Sequence, residues 1–95
     1  MFDVFITSSG RRSAKKLPED VKREVVGLCE SHLSRHPFDS DKLQKPLAEC
    51  RSFHFKLNNI HYRIAYRIVE DKKRIDIVLV GTRENFYQKL RRVLK

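Results

Sequence analysis

Three consecutive strand patterns in the second half of the chain constrain the fold more than any other feature. All three are rich in β-branched and aromatic residues. They are CRSFHFKL (50–57), IHYRIAYRIV (60–69) and RIDIVLVG (74–81). Asn58 and Asn59 separate the first two, which is typical of a tight hairpin, and a charged turn at 70–73 separates the second from the third. Strands joined by such short turns predict antiparallel pairing.

The first half predicts one further strand and two helices. Residues 2–7 alternate as a strand does, and a short basic helix is expected at about 11–17. A second helix should begin at Pro18, because proline is favoured in a first helical turn, and end before Pro37. Its apolar residues recur at helical spacing: Val21, Val25, Leu28, Cys29 and Leu33.

A last helix is expected from about Arg83, with Phe86, Leu90, Val93 and Leu94 on one side. The element order β-α-α-β-β-β-α predicts an α+β fold. We expect an antiparallel-dominated four-stranded sheet with the helices packed on one face, and an ordered loop at 36–47. The length suits a single domain over residues 1–95.

Side-chain alternation sorts the predicted hairpin into an apolar face and a cationic face. The apolar set, which should pack against the helices, is Phe53, Phe55, Leu57, Tyr62, Ile64, Tyr66 and Ile68. The opposite face carries His54, Lys56, His61, Arg63, Ala65 and Arg67. Like charges placed together repel, so an anionic ligand such as a phosphodiester backbone would offset the cost. A solvated face balanced by nearby carboxylates is the alternative.

The whole chain is also basic, with 21 Lys and Arg against 12 Asp and Glu and a formal charge of +9. Such a charge attracts nucleic acid, an acidic protein segment or an anionic membrane. No segment has the pattern of a membrane span or a signal sequence, so we expect no membrane association. Cys29 and Cys50 lack metal-binding spacing, which predicts reduced thiols, a cytoplasmic location and no metal or cofactor.

Arg83 and Tyr87 extend the candidate site toward the last helix. If that helix starts near Thr82, they are neighbours on one side of it, with Gly81 allowing the chain to turn. Tyr87 is a candidate for stacking on an RNA base. A tyrosine at the rim of the core is the alternative.

At these residues the sequence resembles the RelE/ParE superfamily of bacterial toxins, and more closely its RelE ribonuclease branch. Residues 53–87 carry the resemblance: a strand with a lysine, a hairpin into YRIAY, an acidic turn, an apolar strand ending in glycine, then an arginine and a tyrosine. The segment DKLQKPL (41–47) and the element order are also similar. The resemblance implies an endonuclease that cleaves messenger RNA in the ribosomal A site.

The resemblance implies a catalytic set of Lys56, Arg63, Arg83 and Tyr87. His54 joins it because it stands where the family has its first active-site lysine. Tyr87 follows Arg83 more closely in the sequence than the corresponding tyrosine does in the best-known members. Its role therefore stays open between general base and stacking platform. RNA-binding roles are expected for His61, Arg67 and Arg91.

The residue types fit RNA cleavage by attack of the 2′-hydroxyl. His54 titrates nearest to neutrality and suits an acid or a base, whereas guanidinium groups suit only stabilisation of the phosphate. Lys56 suits a proton donor. Because the sequence shows no acidic pair and no metal-ligand set, the predicted cleavage is metal-independent.

The expected partners follow from the same resemblance. They are messenger RNA on the ribosome, with contacts to 16S rRNA, and a cognate antitoxin, with DNA bound only through the toxin–antitoxin complex. Two other functions stay open: a ParE-like inhibitor of DNA gyrase with the same fold, and a non-catalytic RNA-binding module whose affinity depends strongly on salt.

Overall fold

The computed structural model describes residues 1–94, and these form a five-stranded mixed sheet with three α-helices. The strands are β1 (Asp3–Ile6), β2 (Asp41–Lys42), β3 (Arg51–Leu57), β4 (Ile60–Val69) and β5 (Arg74–Thr82). The helices are α1 (Ser8–Lys15), α2 (Glu19–Leu28), which continues into a π-helical turn at Cys29–Leu33, and α3 (Phe86–Val93). Within residues 1–94, no helix combines the length and apolar character needed to cross a membrane.

The sheet has the order β1-β5-β4-β3-β2, so the prediction of four strands was wrong. The additional strand is β2, which lies within the segment predicted to be a loop. Its two residues, Asp41 and Lys42, pair with Ser52 and Arg51 of β3. So short a strand has no alternation that a sequence pattern could detect. The predicted antiparallel dominance is confirmed, because β1 with β5 is the parallel pair and the other pairs are antiparallel.

The hairpin between β3 and β4 forms as predicted. Asn58 and Asn59 both adopt the left-handed backbone conformation, with φ of 52° and 65°. Asparagine tolerates this conformation better than most residues, and a two-residue turn of this kind matches the twist of antiparallel strands. The turn therefore sets the register on which the rest of the sheet face depends.

The helices cover both faces of the sheet, so the prediction that they pack on one face was wrong. The α2 side buries the apolar hairpin face against Val21, Val25, Cys29 and Leu33. The other face carries a second apolar cluster, formed by Leu47, Cys50, Ala65, Val78, Leu79, Phe86 and Leu90. It arises because small Ala65 lies opposite Leu79 and a β-bulge at Val78 adds another apolar residue to β5, so that α3 can pack there.

Helix α1 begins at Ser8, earlier than expected, because Thr7 caps its N-terminus by accepting a hydrogen bond from the Gly10 amide. The helix lies along the edge of β5, beyond the end of β1. Ser9 Oγ donates to the Val78 carbonyl at 2.7 Å, and Ser13 Oγ accepts from the Val80 amide at 3.0 Å. Hydroxyl groups of α1 thus satisfy backbone groups that a further strand would otherwise pair with.

Candidate functional site

Four basic side chains lie together on the sheet face opposite α2, at the hairpin end. The register of β3 and β4 places His54 opposite Arg63 and Lys56 opposite His61. Side chains in such cross-strand pairs have Cβ atoms about 4.5–5.5 Å apart. We call this group, His54, Lys56, His61 and Arg63, the basic patch. Arg63 is half-buried and the other three are exposed.

Arg63 is held by an aromatic ring from α3. Its guanidinium carbon lies 4.9 Å from the centroid of the Tyr87 ring. Tyr87 in turn packs edge-on against Phe86, with ring centroids 5.7 Å apart, and Phe86 is 1% exposed in the second apolar cluster. A cation over an aromatic face gains about 0.5–1 kcal/mol at exposed sites. The core therefore orients Arg63 through two rings, and one face of Tyr87 is already occupied.

Arg83 lies beside the basic patch but outside α3. Its amide donates to the His61 carbonyl at 3.1 Å, and its side chain is exposed. The expectation that Arg83 and Tyr87 share a helix face was wrong, because α3 begins at Phe86. Asn85, with φ of 56°, reverses the chain there so that α3 can return onto the sheet.

Helix α3 covers the middle of the face opposite α2, directly beyond the basic patch. Ala65 is fully buried beneath α3 and the segment around Leu47, and Arg67, the next residue on that face, is half-buried. Arg67 does not join the patch: its Nη2 lies 3.8 Å from a carboxylate oxygen of Asp76. The separation is expected, because four residues of strand span about 13 Å. Arg91 is exposed in the last turn of α3.

Asp76 is a buried charge that the sequence reasoning missed. Its side chain is 7% exposed and accepts from Arg74 at 2.8 and 3.3 Å, with Arg67 farther away. A buried carboxylate without such partners would be costly. The sequence did carry one signal of this buried charge, because Asp76 interrupts an otherwise apolar strand. In the structure Asp76 lies opposite Arg67.

His54 has a pKa below its ordinary value. Partial burial is the larger cause, the positive charge of Arg63 adds to it, and Asp41 opposes both. The cation opposite His54 thus favours the neutral imidazole, which can accept a proton. The influence of Asp41 was not foreseen, because it depends on the short strand β2.

We expect the imidazole of His54 to titrate below about 6.5 in a histidine NMR titration. Between its folded and unfolded pKa values the unfolded chain binds more protons, so the free energy of unfolding should rise as pH rises through that window and fall as pH is lowered. His54→Gln should flatten this dependence. Arg63→Ala should move the pKa part of the way back up. A pKa above the ordinary value would contradict this environment.

The two cysteines are structural. Cys29 and Cys50 are buried free thiols whose pKa values are both raised to about 11, chiefly by burial and further by Glu30 and Glu49 respectively. A thiol that stays protonated at neutral pH is a poor nucleophile. Within residues 1–94, no three His, Cys, Asp or Glu side chains lie close enough to hold a metal ion.

Comparison with known proteins assigns the family. The model of ParE-like toxins of type II bacterial toxin–antitoxin systems matches residues 4–91. Toxin RelG of Mycobacterium tuberculosis is 30% identical over 88 residues, which cover 93% of this chain and 98% of that toxin. The chain belongs to this family of toxins. The resemblance to the RelE/ParE superfamily inferred from the sequence is confirmed.

Solved structures support a RelE-like fold for this toxin. It matches the toxin–antitoxin complex RelBE2 of Mycobacterium tuberculosis with a TM-score of 0.78 and 30% identity, over 86% of this chain and 98% of that chain. It also matches the isolated RelE toxin of E. coli with a TM-score of 0.68, over 98% and 99% of the two chains. The identity in the second case is 16%, so that match concerns the fold alone.

Proposed function

We propose that this toxin is a ribosome-dependent endoribonuclease that cleaves translated messenger RNA in the A site. One observation carries the proposal: His54, with its lowered pKa, lies directly opposite Arg63, which Tyr87 holds in place. A proton acceptor beside an oriented cation is the minimal arrangement for attack of a 2′-hydroxyl on its own phosphodiester.

Each residue of the site has a distinct role in the proposed reaction. His54 removes the 2′-hydroxyl proton as the 2′-oxygen bonds to phosphorus. Arg63 and Arg83 stabilise the charge of the pentavalent phosphate, because guanidinium stays protonated. Lys56 protonates the 5′-oxygen as its bond to phosphorus breaks. The products are a 2′,3′-cyclic phosphate and a free 5′-hydroxyl, and no metal enters the reaction.

Tyr87 acts in this proposal as a positioning residue for Arg63 rather than as the base. Its ring already contacts the guanidinium, and Phe86 packs against it from the core. His61 supplies a further contact to the RNA backbone from the same patch. Arg67 contributes less than the sequence pattern suggested, because its charge faces Asp76. Arg91 would meet RNA only outside the patch.

The shape of the site supports the proposed dependence on the ribosome. The basic patch lies on an exposed sheet surface, which attracts phosphate but does not enclose a strand. Correct alignment of the attacking and leaving oxygens supplies much of the rate in such reactions. The ribosome, including its 16S rRNA, would hold the message in that alignment. The proposed site of action is therefore the cytoplasm.

A cognate antitoxin is the proposed inhibitor. Solved relatives such as the RelBE2 complex contain a toxin together with its antitoxin. A chain with a formal charge of +9 favours an acidic partner, and the joint complex would be the form that meets DNA.

Primer extension on cellular messages after brief induction tests the proposal. We expect discrete breaks inside translated codons, and 2′,3′-cyclic phosphate ends on the upstream fragments. Cleavage in vitro should persist in excess chelator when polyamines keep the ribosomes intact. Loss of cleavage under those conditions would refute metal independence. Intact messages with rising DNA damage signals would indicate a gyrase inhibitor, and salt-dependent RNA binding without breaks would indicate a binding module.

A further inference from the structure

A carboxylate reaches the basic patch from the edge of the sheet. The pairing of β2 with β3 places Asp41 opposite Ser52, which lies two residues before His54 on the same strand face. Residues directly opposite each other on neighbouring strands project to the same side, so Asp41 belongs to the face that carries the basic patch. It is the diagonal neighbour of His54, and such neighbours lie about 7–8 Å apart, within reach of each other's side chains.

Two residues of the sheet fix the segment that leads into β2. The hydroxyl of Tyr66, a fully buried residue, donates to the Pro37 carbonyl at 2.7 Å and is also hydrogen-bonded to the hydroxyl of Ser40. Arg51 Nη1 donates to the carbonyls of Phe38 and Ser40 at 3.1 and 2.7 Å. The first residue of β2 is therefore positioned by bonds to the sheet, although its side chain is exposed.

A buried hydroxyl without a partner lies beside this carboxylate. Within residues 1–94, Ser52 Oγ is buried and makes no hydrogen bond, which costs free energy unless an acceptor is near. The ion pairs found among the same residues do not involve Asp41. A carboxylate has two acceptor oxygens, so one can accept from Ser52 while the other accepts from the imidazole of His54.

The imidazole of His54 thus lies between opposite charges. Arg63 faces it from β4 and Asp41 from β2, while Lys56 follows it on its own strand. Burial lowers the pKa of His54 most, Arg63 lowers it further, and Asp41 raises it. The cation keeps the resting imidazole neutral, and the carboxylate stabilises the imidazolium that forms when the ring accepts a proton.

We propose that Asp41 is a positioning residue for His54. Its carboxylate accepts a hydrogen bond from one ring nitrogen, which leaves the other nitrogen without a proton and able to take one from the 2′-hydroxyl. That proton stays on the imidazole, and Asp41 remains ionised throughout. The role of Asp41 in cleavage rests on the nuclease function proposed above, whereas its contact with His54 does not.

An NMR titration of His54 in the full chain, without RNA or ribosomes, tests the contact. Asp41→Asn should lower the pKa of His54 below that of the unsubstituted chain, because the charge of Arg63 is then unopposed. Asp41→Glu keeps the charge and should restore most of the pKa. Asp39→Asn is the matched control: it removes the same charge from the same segment, beside His36 at 3.9 Å, and should leave the titration of His54 almost unchanged.

Single-turnover cleavage on the ribosome tests the role. Asp41→Asn should slow cleavage by about tenfold, less than the 10²–10⁴-fold typical of losing the general base itself. The pH at which the rate falls on the acid side should move lower together with the pKa of His54. Asp39→Asn should cleave at the unsubstituted rate, and Asp41→Glu should recover most of the activity. A merely structural role would reduce the rate without moving the pH profile.

Two results would overturn the proposal. One is a titration of His54 that Asp41→Asn leaves unchanged, or that Asp39→Asn shifts equally. The other is a cleavage rate and pH profile that Asp41→Asn leaves unchanged. If Asp41→Asn lowers the pKa of His54 but the unsubstituted chain leaves messages intact, the contact stands and the nuclease proposal fails. The failure of one can thus be told from the failure of the other.

Discussion

Arg63→Ala should abolish growth arrest and slow messenger RNA cleavage on the ribosome by about 10²–10³-fold. The guanidinium is the one cation of the basic patch that an aromatic ring orients. The substitution therefore removes both a positive charge and the fixed position in which the ring holds it. Its stacking with Tyr87 contributes about 0.5–1 kcal/mol, which is too little for its loss to unfold a typical domain. Single-turnover cleavage of a programmed ribosome complex measures the effect.

Two matched variants separate orientation from charge. Arg63→Lys keeps the positive charge but loses the planar group that lies over the ring, so cleavage should fall to an intermediate rate. Arg23→Ala removes an exposed charge from α2, which packs on the other face, and should cleave at the rate of the unsubstituted chain. If arrest persists in Arg63→Ala while messages stay intact, the toxin has another target, and the gyrase alternative is preferred.

Gly10→Ala should destabilise the toxin by about 1–3 kcal/mol, although alanine is the better helix former. A Cβ at this position would overlap the carbonyl oxygen of Ile77 in β5 and lie 3.0 Å from Cγ1 of Ile6. Backbone on both sides of the contact is hydrogen-bonded, so α1 has to move away from β5 to make room. The free energy of unfolding from urea denaturation measures the change.

Gly27→Ala is the control, because the same substitution in α2 meets no atom within 4 Å. There the helix propensity of alanine acts alone, and the toxin should become more stable by about 0.5–1 kcal/mol. A lower free energy of unfolding for Gly10→Ala and a higher one for Gly27→Ala would establish that α1 packs closely against β5. Equal gains at both positions would mean that α1 does not contact β5 as the structure has it.

The accuracy of the sequence-based predictions depended on the range of the interactions involved. The turn at Asn58 and Asn59 and the alternation of the hairpin were correctly predicted, because each depends on residues close together in the chain. The start of α1 was missed by a few residues, because Thr7 was assigned to the preceding strand. In the structure Thr7 caps the helix and Ser9 contacts β5. Strand β2 was missed because its two residues form a strand by pairing with residues of β3 that lie about ten positions away in the sequence.

The sequence by itself determined that His54, Lys56, His61 and Arg63 share one face, because side-chain alternation is a local property of extended backbone. Only the tertiary structure decided how much of that face is open. Helix α3 packs on it over Ala65, Arg67 faces Asp76, and Tyr87 holds Arg63. Which sheet face a helix covers depends on apolar contacts between distant parts of the chain, and no local pattern encodes those contacts.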